Sequence, residues 1–303
     1  MCGLFGFSRY GNEKFAGLSD LTNSLAEQSA VRGTDATGIA FNRTNHLSIL
    51  KDGKSAHRMA LRHPDEISAL IGHTRHSTQG SEKRNYNNHP FAGKTRNAMF
   101  ALAHNGVLIN DNELRSELKL PNTKVETDSY IAVQLIESQR TLNMDSIKYM
   151  AEKVNGSFSF SVLDDKDNIY LVKGDSPLCI LHFPKEKMYV FASTEEILFK
   201  AVIDSKLLSS LKKGAFEESD ISDGEILKIC SDGKLIRDKF EYSIYNGRNW
   251  WDFGFSGLGY SKNEYIDDLK AIGAYHGYTS EDIDRFLKSG FSPEEIEEFI
   301  YGY

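Results

Sequence analysis

The sequence mixes strand-like and helical runs in a way compatible with an α+β fold, and three observations bear on that expectation. Residues 1 to about 245 alternate short strand-like runs with a few helical ones. No regular strand-helix-strand rhythm runs through them, which argues against a doubly wound parallel sheet. Within this stretch Phe158, Phe160 and Val162 alternate with Ser157, Ser159 and Ser161, the period of a strand with one buried face and one polar or lightly packed face. Beyond Tyr245 the aliphatic residues thin out and the character of the chain changes.

The elements follow in order. Leu18, Leu21 and Leu25 stand at helical spacing ahead of Arg32-Gly33. Strands are expected over Gly38 to Arg43 and Leu47 to Asp52. The apolar run Met99-Phe100-Ala101-Leu102-Ala103 reads as a strand covered on both faces, and His104-Asn105-Gly106 reads as the turn that ends it. After Asp128, Ile131 with Leu135 and Ala132 with Ile136 recur four apart, giving a second helix. Further strands are expected over Gly156 to Asp164, Ile169 to Lys173, Leu178 to Phe183, Met188 to Ser193 and Glu225 to Ile229.

This organisation gives a main domain over residues 2–245, a linker over 246–262 rich in Gly and aromatics, and a small helical appendage over 263–303. The appendage holds an internal repeat, in which Gly277 to Leu287 is echoed by Gly290 to Ile300. Each copy sets Ser or Thr before an acidic first turn and places Ile and Phe three apart, the pattern of a capped amphipathic helix. The first reading of such a segment is a packing appendage, and the second a partner-docking module.

Composition limits the classes of function. With 40% hydrophobic and 26% charged residues, the 303-residue chain is ordinary globular material. The net charge of −7 is spread out and no basic cluster opposes it, so neither nucleic acid nor a membrane surface is an expected partner. The N-terminus lacks the pattern of a signal peptide, and no apolar run approaches the roughly 18 residues of a membrane span. Three cysteines, Cys2, Cys179 and Cys230, are far apart and odd in number, which fits neither a disulfide framework nor a zinc spacing. A cytoplasmic location is expected, with Cys179 and Cys230 as inert buried thiols.

Cys2 is different. A small residue at position 2 permits removal of Met1, leaving a thiol and a free α-amino group on one residue. That amine has a reference pKa of about 8, so its neutral fraction can take the thiol's proton directly or through a water. Nucleophile and base then share a residue.

Four further segments appear in order: Val31 to Gly38 around Arg32-Gly33-Thr34-Asp35, Gly72 to Gly80 around Arg75 and Thr78, His104-Asn105-Gly106, and Glu126-Thr127-Asp128. Together with Cys2 they resemble the glutaminase domain of class II glutamine amidotransferases, most nearly those of glucosamine-fructose-6-phosphate aminotransferase and amidophosphoribosyltransferase. The likeness runs from residue 2 to about 230. It implies the N-terminal-nucleophile hydrolase fold, a four-layer αββα sandwich of antiparallel sheets. It also implies hydrolysis of L-glutamine to glutamate and ammonia through a Cys2 γ-glutamyl thioester, without metal or other cofactor.

Each segment makes chemical sense for that reaction. Asn105 offers a side-chain amide and Gly106 an unencumbered backbone N–H, a pair suited to an oxyanion, although Asn-Gly is also a common hairpin turn. Arg75 matches a substrate carboxylate with its planar fork, and Thr78 can add a hydroxyl to the same group. Asp128 suits the N-cap of the helix that follows and also the substrate ammonium, the role that the resemblance favours. The resemblance assigns Arg32 to ordering the N-terminal Cys. His73, His89 and His104 stand at no metal-ligand spacing and read as core or hydrogen-bonding histidines.

Two departures stand out. His76 occupies the place of an aromatic in the family's mobile loop, which bears on gating. Only about 60 residues follow the main domain, with no phosphate-cradling loop, so the expected partner is a separate synthase subunit that consumes the ammonia. Two other readings are an N-terminal-nucleophile amidase acting on a different amide and a non-catalytic regulatory relative.

Overall fold

The computed structural model describes residues 2–11, 15, 17–44, 46–205, 207, 216–241, 266, 269–270, 278–288, 293 and 296. The chain divides into two compact units, Met1–Ile244 and Tyr245–Tyr303. The expected linker at 246–262 lies outside the described residues.

The first unit holds two sheets. One has seven strands in the order β11-β9-β10-β1-β4-β2-β3, formed by β1 (Gly3–Arg9), β2 (Ala36–Arg43), β3 (His46–Asp52), β4 (Ala69–Arg75), β9 (Cys179–Phe183), β10 (Met188–Ala192) and β11 (Glu217–Glu218). The other has six in the order β13-β12-β8-β7-β6-β5, from β5 (Phe91–Lys94), β6 (Met99–Leu108), β7 (Gly156–Asp164), β8 (Ile169–Lys173), β12 (Glu225–Ile229) and β13 (Leu235–Lys239). Every pairing is antiparallel. The helices are α1 (Leu18–Ser29), α2 (Asp111–Glu117), α3 (Tyr130–Ser138), α4 (Met144–Lys153) and α5 (Glu195–Asp204).

Strand alternation sorts the side chains into three cores. Phe5, Phe7, Leu70 and Val190 leave one face of the seven-stranded sheet and meet Leu18, Leu21 and Leu25 of α1 and Ile197, Leu198 and Ala201 of α5. Phe100, Leu102, Phe158, Phe160 and Val162 leave the far face of the other sheet and meet α3 and α4. Between the sheets, Ala40, Ala69 and Ile71 pack on Ala101, Leu163 and Leu171. The layers therefore run helix, sheet, sheet, helix. Each fully buried Phe contributes on the order of 1.5–3 kcal/mol by area, and the middle core combines Ala40, Ala69 and Ala101 with larger residues such as Ile169, Tyr189 and Phe191.

Three sequence expectations need correction. The serine face of β7 is not lightly packed, because Ser159 and Ser161 are fully buried between the sheets. The strand from Met99 does not end in a turn at Asn105-Gly106: it runs on to Leu108, with Asn105 opposite Ser159 and Gly106 opposite Phe158. Cys179 and Cys230 are only half-buried, though desolvation pushes both thiols up, the direction of low reactivity.

In the second unit, α6 (Ser280–Lys288) starts at a reciprocal cap, in which the Asp282 N–H donates to Thr279 Oγ1 at 3.2 Å and the Thr279 N–H to Asp282 Oδ2 at 2.9 Å. Ile283 and Ile296 hold the same position in the two repeat copies and are buried together with Leu269.

Candidate active site

Cys2 stands one residue before β1, just past the Gly3–Thr74 pair with β4. The alternation that turns Phe5 and Phe7 to α1 turns Leu4 and Gly6 to the inter-sheet side, and Cys2 continues that series. Its Sγ lies 3.5 Å from the His76 carbonyl oxygen. Burial pushes the thiol pKa up, while the His76 bond and Arg75 pull it down and Asp128 raises it further. Arg75 and Asp128 thus both act on Cys2.

The Arg32–Asp35 turn locks this corner. Arg32 Nε donates to the Cys2 carbonyl at 2.9 Å. The Asp35 N–H donates to the Arg75 carbonyl at 3.0 Å, and the Ser77 N–H to Asp35 Oδ2 at 2.7 Å. Gly33 is required between them, because a Cβ there would stand 2.4 Å from the Arg75 carbonyl carbon. One tight turn therefore holds both Cys2 and the end of β4.

Arg75 shares the inter-sheet side of β4 with His73 and is buried. Its Nη1 donates to Asn88 Oδ1 at 2.8 Å, and its Nη2 to the carbonyls of Gln79 and Gly80 at 2.5 and 2.7 Å. All three acceptors are neutral, so the guanidinium charge is positioned without being cancelled. Lys51 donates to the Asn88 and Pro90 carbonyls, and burial together with the Arg75 charge lowers its pKa to about 8. Thr78 lies exposed on the loop after β4.

Across the sandwich, β6 carries Asn105 and Gly106. Asn105 is 2% exposed, points to the inter-sheet side with Ala101 and Ala103, and its Nδ2 has no partner. Gly106 adopts φ +135°, and a Cβ there would fall 1.9 Å from the Ser157 carbonyl oxygen. β5 pairs with β6 only as far as Leu102, so the β6 edge is open from there on. Two side chains serve it instead: His73 Nε2 reaches the His104 carbonyl at 2.9 Å, and Asp128 Oδ2 accepts from the Leu108 N–H at 2.6 Å. Gly106 sits midway between these anchors.

Asp128 does not cap its helix. The N-cap position falls on Ser129 without a side-chain cap bond, and the carboxylate is turned to Leu108 and to the Ser129 hydroxyl. Burial raises its pKa and these donors oppose the rise. His73, His89 and His104 are buried as a group; desolvation lowers His73 and His104 to about 3 and His89 well below its ordinary value. All three are neutral imidazoles.

The sequence reading passed over Asn87 and Asn88. Asn88 holds Arg75, and Asn87 exchanges hydrogen bonds with Glu126 at 2.8 and 3.0 Å, tying the long loop after β4 to the Asp128 segment. The only sequence signal was a run of amides without periodicity, which reads as any polar loop.

Two antiparallel sheets between helical layers, with Cys2 at the head of a central strand, define an N-terminal-nucleophile hydrolase fold. Two solved structures share it. One is a glutamine phosphoribosylpyrophosphate amidotransferase from B. subtilis, with TM-score 0.63 and 21% identity over 80% of this chain and 50% of that one. The other is described as the allosteric regulatory enzyme of purine biosynthesis, with TM-score 0.63 and 20% identity over the same shares. Residues 73–200 match the family profile of the glutamine amidotransferase domain. A glutamine-fructose-6-phosphate aminotransferase (isomerizing) of Staphylococcus aureus is 30% identical over 247 residues, 78% of this chain and 37% of the relative. Its Staphylococcus epidermidis counterpart is 35% identical over 190 residues, 59% of this chain and 30% of the relative. The chain carries a glutamine amidotransferase domain of class II, homologous to the glutaminase part of these enzymes, and spans about a third of the length of the two aminotransferases. No described helix is long and apolar enough to cross a membrane.

Proposed function

We propose that this chain hydrolyses L-glutamine to glutamate and ammonia, with Cys2 as the nucleophile once Met1 is removed. The observation that carries the proposal is the Asn105 amide, buried, unpartnered and turned to the side from which Cys2 approaches. A buried donor without an acceptor costs roughly 1–3 kcal/mol, and an oxyanion is the acceptor that repays it.

The Cys2 thiol passes its proton to its own α-amine and attacks the glutamine δ-carbonyl carbon. Negative charge collects on the carbonyl oxygen, which Asn105 Nδ2 and the Gly106 N–H stabilise. The α-ammonium returns the proton to the amide nitrogen, the C–N bond breaks and ammonia leaves a γ-glutamyl thioester. Water, deprotonated by the same amine, attacks that thioester and releases glutamate and the thiol. No step calls for a cofactor.

Recognition follows from two of the charges that act on Cys2, Arg75 and Asp128. Arg75 takes the α-carboxylate and Asp128 the α-ammonium, a pairing that favours a free amino acid over other amides. Thr78 adds its hydroxyl when the exposed loop settles on substrate, and Arg32 keeps Cys2 in line. The ammonia goes to a synthase that we place on a separate chain; the relatives' names, which pair glutamine with fructose 6-phosphate or phosphoribosylpyrophosphate, support an acceptor domain of that kind.

The test is ammonia and glutamate release from glutamine, with asparagine and simple amides as comparators, by wild type and Cys2→Ala. Loss of glutamine hydrolysis in Cys2→Ala, by at least about a thousandfold, is expected. Full activity in that variant, or mass spectrometry finding Met1 on active protein, rules the mechanism out. Co-purification on the tagged full chain tests the separate synthase.

A further inference from the structure

The open edge of β6 is served by His73, which the reaction itself does not use, and by Asp128. His73 leaves β4, crosses between the sheets and meets the carbonyl of the peptide that joins His104 to Asn105. His104 Nδ1 meets Ser129 Oγ at 2.8 Å, and that hydroxyl donates to Asp128 Oδ1 at 3.3 Å. Asp128 Oδ2 then takes the Leu108 N–H at 2.6 Å. The chain of contacts leaves the β6 backbone at residue 104 and rejoins it at 108, bracketing Asn105 and Gly106.

We propose that His73 is a positioning residue of the oxyanion hole: its Nε2–H fixes the His104–Asn105 peptide and, with the His104–Ser129–Asp128 relay, holds Asn105 and Gly106 without a neighbouring strand. A strand in that place would consume the outward backbone groups of residues 104, 106 and 108 alike. Two side-chain anchors consume only the outer two. The proposal rests on the glutaminase reading above.

The ring is held to this single task. It stacks against His89 with centroids 4.1 Å apart, and His89 in turn lies 4.3 Å from the Phe91 ring of β5. Both His89 nitrogens are without partners, so that imidazole acts as an aromatic wedge. Burial and the nearby charges of Arg75 and Lys51 keep His73 uncharged. A neutral imidazole that gives Nε2–H to a carbonyl keeps Nδ1 as its unprotonated nitrogen.

Two substitutions separate positioning from packing. His73→Ala is expected to lower kcat for glutamine by about tenfold to a hundredfold, with KM within about twofold of wild type. His73→Gln places an amide N–H close to the imidazole Nε2 position and is expected to recover most of that loss. Equal loss in both variants at equal thermal stability, or a change confined to KM, overturns the proposal. Amide proton–nitrogen spectra give a readout that needs no activity: the Asn105 and Gly106 resonances should move in His73→Ala and return in His73→Gln. Unmoved resonances in His73→Ala sink the anchor even if wild type hydrolyses glutamine. Resonances that move and return in a chain that releases no ammonia uphold the anchor and sink the glutaminase reading.

Discussion

Two polar clusters flank β1, and they satisfy their side chains to different degrees. At the far end, Tyr10 Oη meets His182 Nε2 at 2.5 Å, and His182 Nδ1 meets Glu217 Oε2 at 3.3 Å. Tyr189 stacks on His182 with centroids 4.3 Å apart and donates its hydroxyl to the Gly233 carbonyl. The Tyr10, His182 and Tyr189 groups of that cluster are paired, although the neighbouring Ser8 hydroxyl on β1 is buried without a partner. At the Cys2 end, the Asn105 amide nitrogen, both His89 nitrogens and the Thr127 hydroxyl are buried with none. Folding alone favours the first arrangement, since each unpaired buried group costs roughly 1–3 kcal/mol. On the proposed reading, the unpaired groups at the Cys2 end face a bound substrate and the Tyr10 cluster is scaffold.

Asn105→Ala tests that contrast most severely. Removing an oxyanion donor typically costs a hundredfold to a thousandfold in kcat, about 3–4 kcal/mol of barrier. Because Asn105 Nδ2 has no partner in the fold, the same change should leave Tm unaltered or slightly raised. Ammonia release and thermal denaturation measured on one preparation decide it. A Tm that falls while kcat holds would make Asn105 scaffold and erase the distinction between the two ends.

Acid should find the Cys2 end next. His73 and His104 have ordinary values of 6.5 and folded values of about 3. Between those limits the unfolded chain binds protons that the native chain does not, so stability is fully present above about pH 6.5 and drains as pH falls toward 3. Each such histidine contributes a slope of roughly 1.4 kcal/mol per pH unit. Urea midpoints measured from pH 7 to pH 4 should follow this fall, and His73→Gln should remove one proton's share of it. A variant slope as steep as wild type would show that His73 does not carry a buried neutral imidazole into the fold.

How much of this was legible beforehand depends on what each residue must satisfy. β7, β8 and β12 were read to the residue, because their side chains alternate or run apolar between clear turns. β1 and β4 were not expected as strands, although both lie at the centre of their sheet. β1 carries Gly3 and Gly6 within its apolar run, and β4 ends in His73-Thr74-Arg75, where chemistry has replaced the usual strand pattern. Asn105-Gly106 was misjudged in the same way: local propensity favours a turn, and tertiary pairing with Ser159 and Phe158 overrides it. The candidate site residues were legible as types within motifs. That His73 holds the His104 carbonyl was not, because that contact exists only once two sheets are stacked.

The mildest test lies at the scaffold end. Tyr10→Phe removes one hydroxyl and keeps the ring, which packs over Gly233 and lies 5.6 Å from the Tyr189 ring. With Glu217 accepting from Nδ1, His182 presents Nε2 as an acceptor and Tyr10 is its donor. Tyr10 and His182 are half-buried, so water can replace part of what is lost, and the expected cost is about 0.5–1.5 kcal/mol by urea denaturation. kcat for glutamine should not change, because the cluster lies at the opposite end of β1 from Cys2. A drop in kcat without loss of stability would mean that the two ends are coupled through β1, and the division into scaffold and site would have to be redrawn along that strand.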